Sequence, residues 1–352
     1  RLPALPNTRE HEESMANEVK QYDVYGVGNA LVDTELKVTD GELAERSLRK
    51  GVMTLVSPEE QAALVATFNG RPSNDAAGGS AANTMVGVAQ FGGRAFYSGK
   101  VGNDTMGSLY RLSMAEVGVE FDVEPEIGPT GSCIVLVTPD GERTMQTSLG
   151  SSSLLQPTDL HLDRIAQSKL LYVEGYLWGS PSAGAAAVRA MEVAKAVDVP
   201  VALSLSDPFM VELFGDQFRQ ATREFVDILF CNEHEASAYT GVTGRDAVLA
   251  AIGKDTGLVF MTCGGDGALV WDHGTVSHVP GHKVQVVDTT GAGDVYASGV
   301  LYGLSQSMSP TDAAKLGVYA SGYIVTRMGP RLEINLADKI QHILSGAHPL
   351  NG

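Results

Sequence analysis

Asp288-Thr289-Thr290-Gly291-Ala292-Gly293-Asp294 puts two glycines, a small residue and a carboxylate within one turn. Glycine permits positive φ and lets backbone approach a ligand closely. Val295 to Tyr302, which follow, read as a buried helix rich in small side chains, and His282 to Val287 upstream read as a strand. A glycine turn opening onto a helix N-terminus aims free N–H groups and partial positive charge at one point, which suits a phosphate. Asp294 would meet that phosphate as an ionised carboxylate able to accept the proton of an attacking hydroxyl. That is equipment for phosphoryl transfer from a nucleotide to an alcohol. Taken alone, the stretch also describes a tight turn with an acidic helix cap.

A second glycine stretch, Gly78-Gly79-Ser80-Ala81-Ala82-Asn83-Thr84, stands upstream in the N-terminal half, with Gly92 and Gly102 after it. In this order the two stretches resemble the paired signatures of the ribokinase-like (PfkB) carbohydrate and nucleoside kinases. Tyr296 stands where a Phe is usual, and Met85 where a smaller residue is expected. Weaker similarity extends from about Tyr22 to Arg331. The resemblance implies an α/β, ribokinase-like three-layer fold with a central, mostly parallel sheet and a small β-sheet lid.

The same resemblance distributes roles. Asp294 would be the catalytic base, with Gly291, Ala292 and Gly293 as the anion hole and the N–H groups of Ala292 and Gly293 on the phosphoryl oxygens. Asp33, matched to an Asp at the end of the family's first strand, would bind acceptor hydroxyls through paired acceptors. Gly78 and Gly79 would let backbone approach the acceptor, and Asn83 would offer its amide. Read without the family, Asp33 is a strand-end turn residue, and Ser80 is a helix cap after a flexible turn.

On the nucleotide side, Asn232 and Glu235 match an Asn-x-x-Glu, whose Glu would order hydrated Mg²⁺; Glu235 in a first helical turn is also simply good capping. His234 reads as exposed. Thr262, Gly264, Gly265 and Gly267 would cradle ATP, or form a hairpin between Leu258–Cys263 and Ala268–Trp271. Arg143 would swing from the lid to the transferring phosphate, or remain a solvated strand residue. Asp288, Thr290, Ile324, Arg327 and Gly329 fall where relatives bind a monovalent cation, so K⁺ joins ATP and Mg²⁺ as an expected cofactor. The family's following serine has no counterpart in Pro330-Arg331-Leu332-Glu333.

Other nucleotide-binding designs are excluded. Gly26-x-Gly28 is followed by Leu31 where a dinucleotide fingerprint needs a third glycine. No Gly-x4-Gly-Lys-Ser/Thr and no His-Arg-Asp loop occurs, so neither a P-loop enzyme nor a protein kinase is indicated.

The elements that must hold these residues alternate between strand-like and helix-like runs, the pattern of stacked βαβ units. Asp227–Cys231 and Gly257–Cys263 are short apolar runs expected as central parallel strands. Segments 33–56 and 121–149 break the rhythm and are expected to form the lid, within one kinase domain over 22–348. Residues 1–21 read as a flexible leader, with Met15 a candidate start.

With 352 residues, 43% hydrophobic and 19% charged, the chain can bury a large core. A formal charge of −17 argues against nucleic acid or an anionic membrane surface as partner. No apolar run is long enough to span a membrane. Cys133, Cys231 and Cys263 are too far apart for a CxxC motif and read as reduced core thiols of a cytoplasmic protein. The expected partner is a small nucleoside or sugar. The acceptor implied by resemblance is a purine nucleoside phosphorylated at its 5′-hydroxyl; the alternatives are a free sugar and a silent binding protein. An exposed lid sheet could also pair two copies into a homodimer.

Overall fold

The computed structural model describes residues 20–68, 70–346 and 350. Most of the expected leader, and residues 69, 347 and 348 of the expected domain, lie outside these. Lys20 and Gln21 already belong to the fold: Lys20 Nζ donates to the Ala166 carbonyl at 2.7 Å and Gln21 N to that of Gln167 at 2.8 Å.

Thirteen strands are seen among the described residues: β1 (Tyr22–Val27), β2 (Leu31–Lys37), β3 (Met53–Leu55), β4 (Asn74–Ala77), β5 (Ala95–Ser98), β6 (Gly131–Val137), β7 (Arg143–Ser148), β8 (Ser168–Glu174), β9 (Val201–Ser204), β10 (Ile228–Asn232), β11 (Leu258–Thr262), β12 (Gly267–Asp272) and β13 (Thr275–Pro280). Eight form the main sheet in the order β13-β12-β11-β10-β9-β8-β1-β5. It is parallel from β5 to β11 and antiparallel at β12 and β13. Apolar clusters cover both faces, which explains the continuous apolar runs in these strands. Gly257–Cys263, expected as a strand flanked by parallel neighbours, instead pairs parallel with β10 and antiparallel with β12.

Chain order reverses between β1 and β8, since β1 pairs first with β5 and only later with β8. Such a reversal leaves a crevice at the carboxyl ends of the strands, where ligands bind in open α/β sheets. Asn29, Glu174, Ser204, Asn232 and Thr262 stand at those ends and line one cavity.

The other five strands make a separate sheet, β3-β7-β6-β2-β4, over the crevice. Its inner face shows Asp33, Cys133, Val135, Arg143, Met145 and Thr147 to the cavity. This lid differs from the expected segments in two ways. It gains β4, and segment 33–56 also contains a helix, Asp40–Glu45, closed by a Thr39/Glu42 capping box. Asp33 is therefore inside β2 of the lid rather than at the end of the first strand, because the chain leaves β1 at Val27 and enters β2 at Leu31.

The segment His282–Val287, expected as a strand, forms none. Its end is tied instead to a helix terminus, where Val287 N donates to the Val325 carbonyl at 2.7 Å. It runs on as a loop with Val286 and Val287 exposed.

Small residues bring the site helices together. A Cβ on Gly87 would lie 2.2 Å from Ser298 Oγ, and one on Gly299 would lie 2.6 Å from the Gly317 nitrogen. Helices Ser80–Gln90, Ala292–Ser305 and Pro310–Ile324 thus pack at backbone distance, and both glycine turns reach the same end of the sheet.

Candidate active site

Gly291 is the N-cap of helix Ala292–Ser305 at φ 71°, and a Cβ there would lie 2.4 Å from the Pro330 carbonyl oxygen. Only glycine fits this turn without strain. Ala292 N donates to the Thr289 carbonyl at 3.2 Å, so this expected phosphate donor is already engaged in closing the turn. The N–H groups of Gly293 and Asp294 are the open ones at the helix end, and space beside Gly293 is clear.

Asp294 is held from both sides. Ser80 Oγ donates to its Oδ1 at 2.6 Å and Asn83 Nδ2 to its Oδ2 at 3.0 Å. Burial pushes its pKa up, while these two hydrogen bonds and the charges of Arg143 and Arg331 pull it back. The site favours a carboxylate poised to take a proton rather than a simply ionised one. Two expectations change here. Ser80 does not cap its helix, whose N-cap is Gly79 with no side-chain bond. Asn83 gives its amide to Asp294 rather than leaving it for the acceptor.

Gly78 and Gly79 form the floor. A Cβ on Gly78 would strike the Asp33 carboxylate at 2.1 Å, and one on Gly79, at φ 89°, the Asn29 carbonyl at 2.1 Å. Asp33 is buried, and that burial raises its pKa to about 7; Arg331 and Arg143 oppose the shift, Glu35 and Asp294 add to it. Glu174, fully buried at the end of β8, accepts from Asn29 N, Asn29 Nδ2 and Ala81 N. It pins the β1–β2 connection to the start of helix Ser80–Gln90, and burial raises its pKa to about 7 despite those bonds.

Asn232 and Glu235 form a capping box at the start of helix Glu233–Thr240, as the local reading allowed. They line the cavity that holds Asp33 and Asp294, not the outer cleft. Burial carries Glu235 to about 8, with Asp207 and Asp294 adding repulsion. His234 is exposed as expected.

The inner cavity measures about 260 Å³, and its lining includes Asp33, Glu174, Glu235 and Asp294, together with Arg143 from the lid. An outer cleft is bounded by Gly264, Gly265 and Gly267 of the β11–β12 hairpin, the His282–Val286 loop and the Val318–Val325 stretch. Among the described residues no carboxylate lines it, whereas His282 and Lys283 do. Thr262, Ala292, Gly293 and Tyr296 border both spaces, so the start of helix Ala292–Ser305 is their junction.

Of the expected monovalent-cation residues, the structure ties three together. Asp288 Oδ1 accepts from Thr290 N at 2.8 Å and Thr290 Oγ1 at 2.5 Å, and Oδ2 from Gly329 N at 3.0 Å. Ile324 ends helix Pro310–Ile324, and Arg327 lies over the Tyr323 ring at 3.4 Å. Among the described residues no cluster of His, Cys, Asp and Glu forms a metal cage.

Two residues of the site escaped sequence reasoning. Glu174 left a trace, a charge ending the apolar run Leu170–Val173. Arg331, which donates to Asn83 Oδ1 at 3.0 Å, left none.

The fold and this two-chambered site define a sugar- or nucleoside-kinase architecture, and the comparisons agree. The chain belongs to the PfkB family: the profile of pfkB family carbohydrate kinases matches residues 52–335. It is a phosphotransferase with an alcohol acceptor, and the family implies ATP as donor. The structure of adenosine kinase from Sinorhizobium meliloti superposes with a TM-score of 0.88 at 39% identity, covering 92% of this chain and 99% of its own. That of a probable sugar kinase from Rhizobium etli gives 0.89 at 35%, covering 94% and 100%. Adenosine kinase of Saccharomyces cerevisiae is 29% identical over 328 residues, 86% of this chain and 95% of its own length.

Proposed function

We propose that this chain transfers the γ-phosphoryl group of ATP to the 5′-hydroxyl of adenosine or a closely related purine nucleoside. One observation carries the reading: a carboxylate-lined cavity and a carboxylate-free cleft meet at the Gly293 N–H, beside Asp294. A polyphosphate is repelled by the first and accepted by the second; hydroxyl groups have the reverse fit. The nucleoside rather than a bare sugar is supported by the apolar wall of the cavity, Met53, Leu55, Val135, Met145 and Met210. A flat base buries against such a wall, and a polyol has nothing to place there. The likeness to a probable sugar kinase keeps a free-sugar acceptor as the second reading.

In the proposed reaction Asp33 holds the acceptor hydroxyls. The acceptor oxygen forms a bond to the γ-phosphorus as the bond to the departing ADP oxygen breaks. Asp294 Oδ takes the hydroxyl proton. The N–H groups of Gly293 and Asp294, the helix end and Arg143 meet the charge on the phosphoryl oxygens. The loose transition state makes positioning the main contribution.

Mg²⁺, bound with the nucleotide, supplies neutralisation of phosphate charge. Glu235 and Asn232 would hold its waters, because a dication there would offset the crowding of Glu235 with Asp207 and Asp294 that burial accentuates. For K⁺, Asp288 already accepts from three donors, which leaves backbone carbonyls of the Asp288–Gly329 network as the main ligands. A cytoplasmic location fits three buried free cysteines and the lack, among the described residues, of any helix able to cross a membrane. Pairing of two copies would use an edge of the lid sheet, β3 or β4.

The test is ADP release with Mg·ATP against adenosine, inosine, guanosine, ribose and fructose, alongside Asp294→Asn. Turnover on a purine nucleoside, lost in the variant, is expected. Turnover confined to a free sugar refutes the nucleoside assignment, and full turnover in Asp294→Asn refutes the base.

A further inference from the structure

Arg331 is half-buried, and no carboxylate forms an ion pair with it among the described residues. Its guanidinium is used otherwise. Nε donates to Asn83 Oδ1 at 3.0 Å, Nη1 to Ser113 Oγ at 3.0 Å, and Nη2 to the Gly78 carbonyl at 3.4 Å. Nη2 also reaches Met114 Sδ at 3.7 Å, and the group lies 5.9 Å from the Tyr110 ring centre. A cation placed beside Asp33 without forming an ion pair with it calls for a reason.

The Asn83 amide gives one. An asparagine presents an oxygen on one side and NH₂ on the other, and a flip exchanges them. Flipped, Asn83 would aim its oxygen at the Asp294 carboxylate. Arg331 can only donate, so its bond to Oδ1 forbids the flip and leaves Nδ2 for Asp294 Oδ2. The same guanidinium holds the Gly78 carbonyl, in the floor beneath Asp33. Pro330, next in the chain, packs on Gly291 of the anion hole.

We propose that Arg331 is a positioning residue for phosphoryl transfer, locking the Asn83 amide and through it the Asp294 carboxylate, and tying both to the acceptor floor. The proposal rests on the reading of Asp294 as the base. Facing Asp294 are Ser80 and Asn83 from helix Ser80–Gln90, Asp33 from β2, Arg143 from β7, Tyr172 and Glu174 from β8, Tyr176 just after it, and Glu235 from helix Glu233–Thr240. Only Arg143 and Arg331 are positive, and Arg143 rides on the lid. Without Arg331, Asp294 keeps three carboxylate neighbours and loses a fixed cation together with its oriented amide.

The test measures kcat and acceptor KM across pH for wild type, Arg331→Met, Arg331→Lys and Asp294→Asn, with thermal melts beside them. For Arg331→Met the acidic limb of kcat is expected to move up by about one pH unit. Its kcat at neutral pH should fall about 10–100-fold, the scale of a misplaced catalytic group. Arg331→Lys keeps the charge without the fork, so the limb should stay while kcat remains reduced. A folded Arg331→Met with wild-type kcat and limb, beside a dead Asp294→Asn, overturns the role of Arg331 alone. Turnover in Asp294→Asn overturns the base instead. Should Arg331→Met not fold, Arg331→Lys decides, and wild-type kcat in that variant overturns the proposal.

Discussion

Alanine at Gly293 and alanine at Gly291 should fail in opposite ways. Nothing in the protein lies within 4 Å of a Cβ placed on Gly293, which is helical and exposed. The substitution should therefore leave the fold intact and even favour the helix by up to about 1 kcal/mol. Its methyl group, however, would occupy the space beside the open N–H groups where the phosphoryl oxygens are proposed to arrive. Displacing a reacting group by about 1 Å costs on the order of 10²-fold, and losing one anion-hole donor about 10²–10³-fold. The expectation for Gly293→Ala is an unchanged melting temperature with kcat/KM down by about that factor. Gly291→Ala meets strain of about 1–2 kcal/mol from its positive φ alone. Its Cβ would also collide with the Pro330 carbonyl at 2.4 Å, so this variant should lose stability as well as activity. The assay is coupled ADP release under saturating adenosine, paired with calorimetric melts. A Gly293→Ala protein with wild-type kcat/KM would refute the placement of the phosphoryl group at this junction.

Stability without ligands should fall as pH rises. Asp33 and Glu174 sit at about 7 and Glu235 at about 8 in the fold, against about 4 when unfolded. Between those values the native state holds protons that the unfolded chain has released. These groups therefore favour folding fully below about pH 4 and lose that contribution as pH climbs to about 8. Melts from acid to mildly alkaline pH should show the decline, with a shallower slope in Asp33→Asn; a rising profile would contradict it. Glu235→Gln should raise the Mg²⁺ concentration for half-maximal rate about 10-fold or more, with the fold retained, and an unchanged Mg²⁺ titration would remove Glu235 from that role.

The chemistry was legible where it depends on backbone. Gly291 and Gly79 have φ values that only glycine adopts readily, so the turns announced themselves as residue types. The lid strands around Cys133 and Arg143 were legible as short strand-like runs, although both faces of β6 are covered: Cys133, Val135 and Val137 pack on one side, Ile134 and Leu136 on the other. What stayed hidden depends on partners distant in sequence. Ser80 looked like a helix cap because its nearest N–H groups are local, while its actual partner lies 214 residues away. Arg331 sat between apolar residues with no pattern to mark it, and its partner Asn83 is 248 residues distant. His282–Val287 has the composition of a strand, but its end bonds to a helix terminus, from Val287 N to the Val325 carbonyl, and not to the free edge of β13.

An acidic chain that handles a polyphosphate must separate its charges in space. Here the formal charge is −17, and four carboxylates, Asp33, Glu174, Glu235 and Asp294, line the inner cavity. The outer cleft is bounded by glycines, hydroxyl-bearing and apolar side chains, His282 and Lys283. Its attraction for phosphate must come mainly from N–H groups and the end of helix Ala292–Ser305, which bring positive potential without adding side-chain charge. The inner carboxylates gain from the same division. Crowded and buried, Asp33, Glu174 and Glu235 have pKa values near neutrality, where a group can hold or release a proton at little cost, and Asp294 is shifted in the same direction. The junction at Gly293 is where the two electrostatic requirements meet. That is why one glycine without a side chain, rather than any charged residue, is the position at which the proposed reaction is most exposed to a single added methyl group.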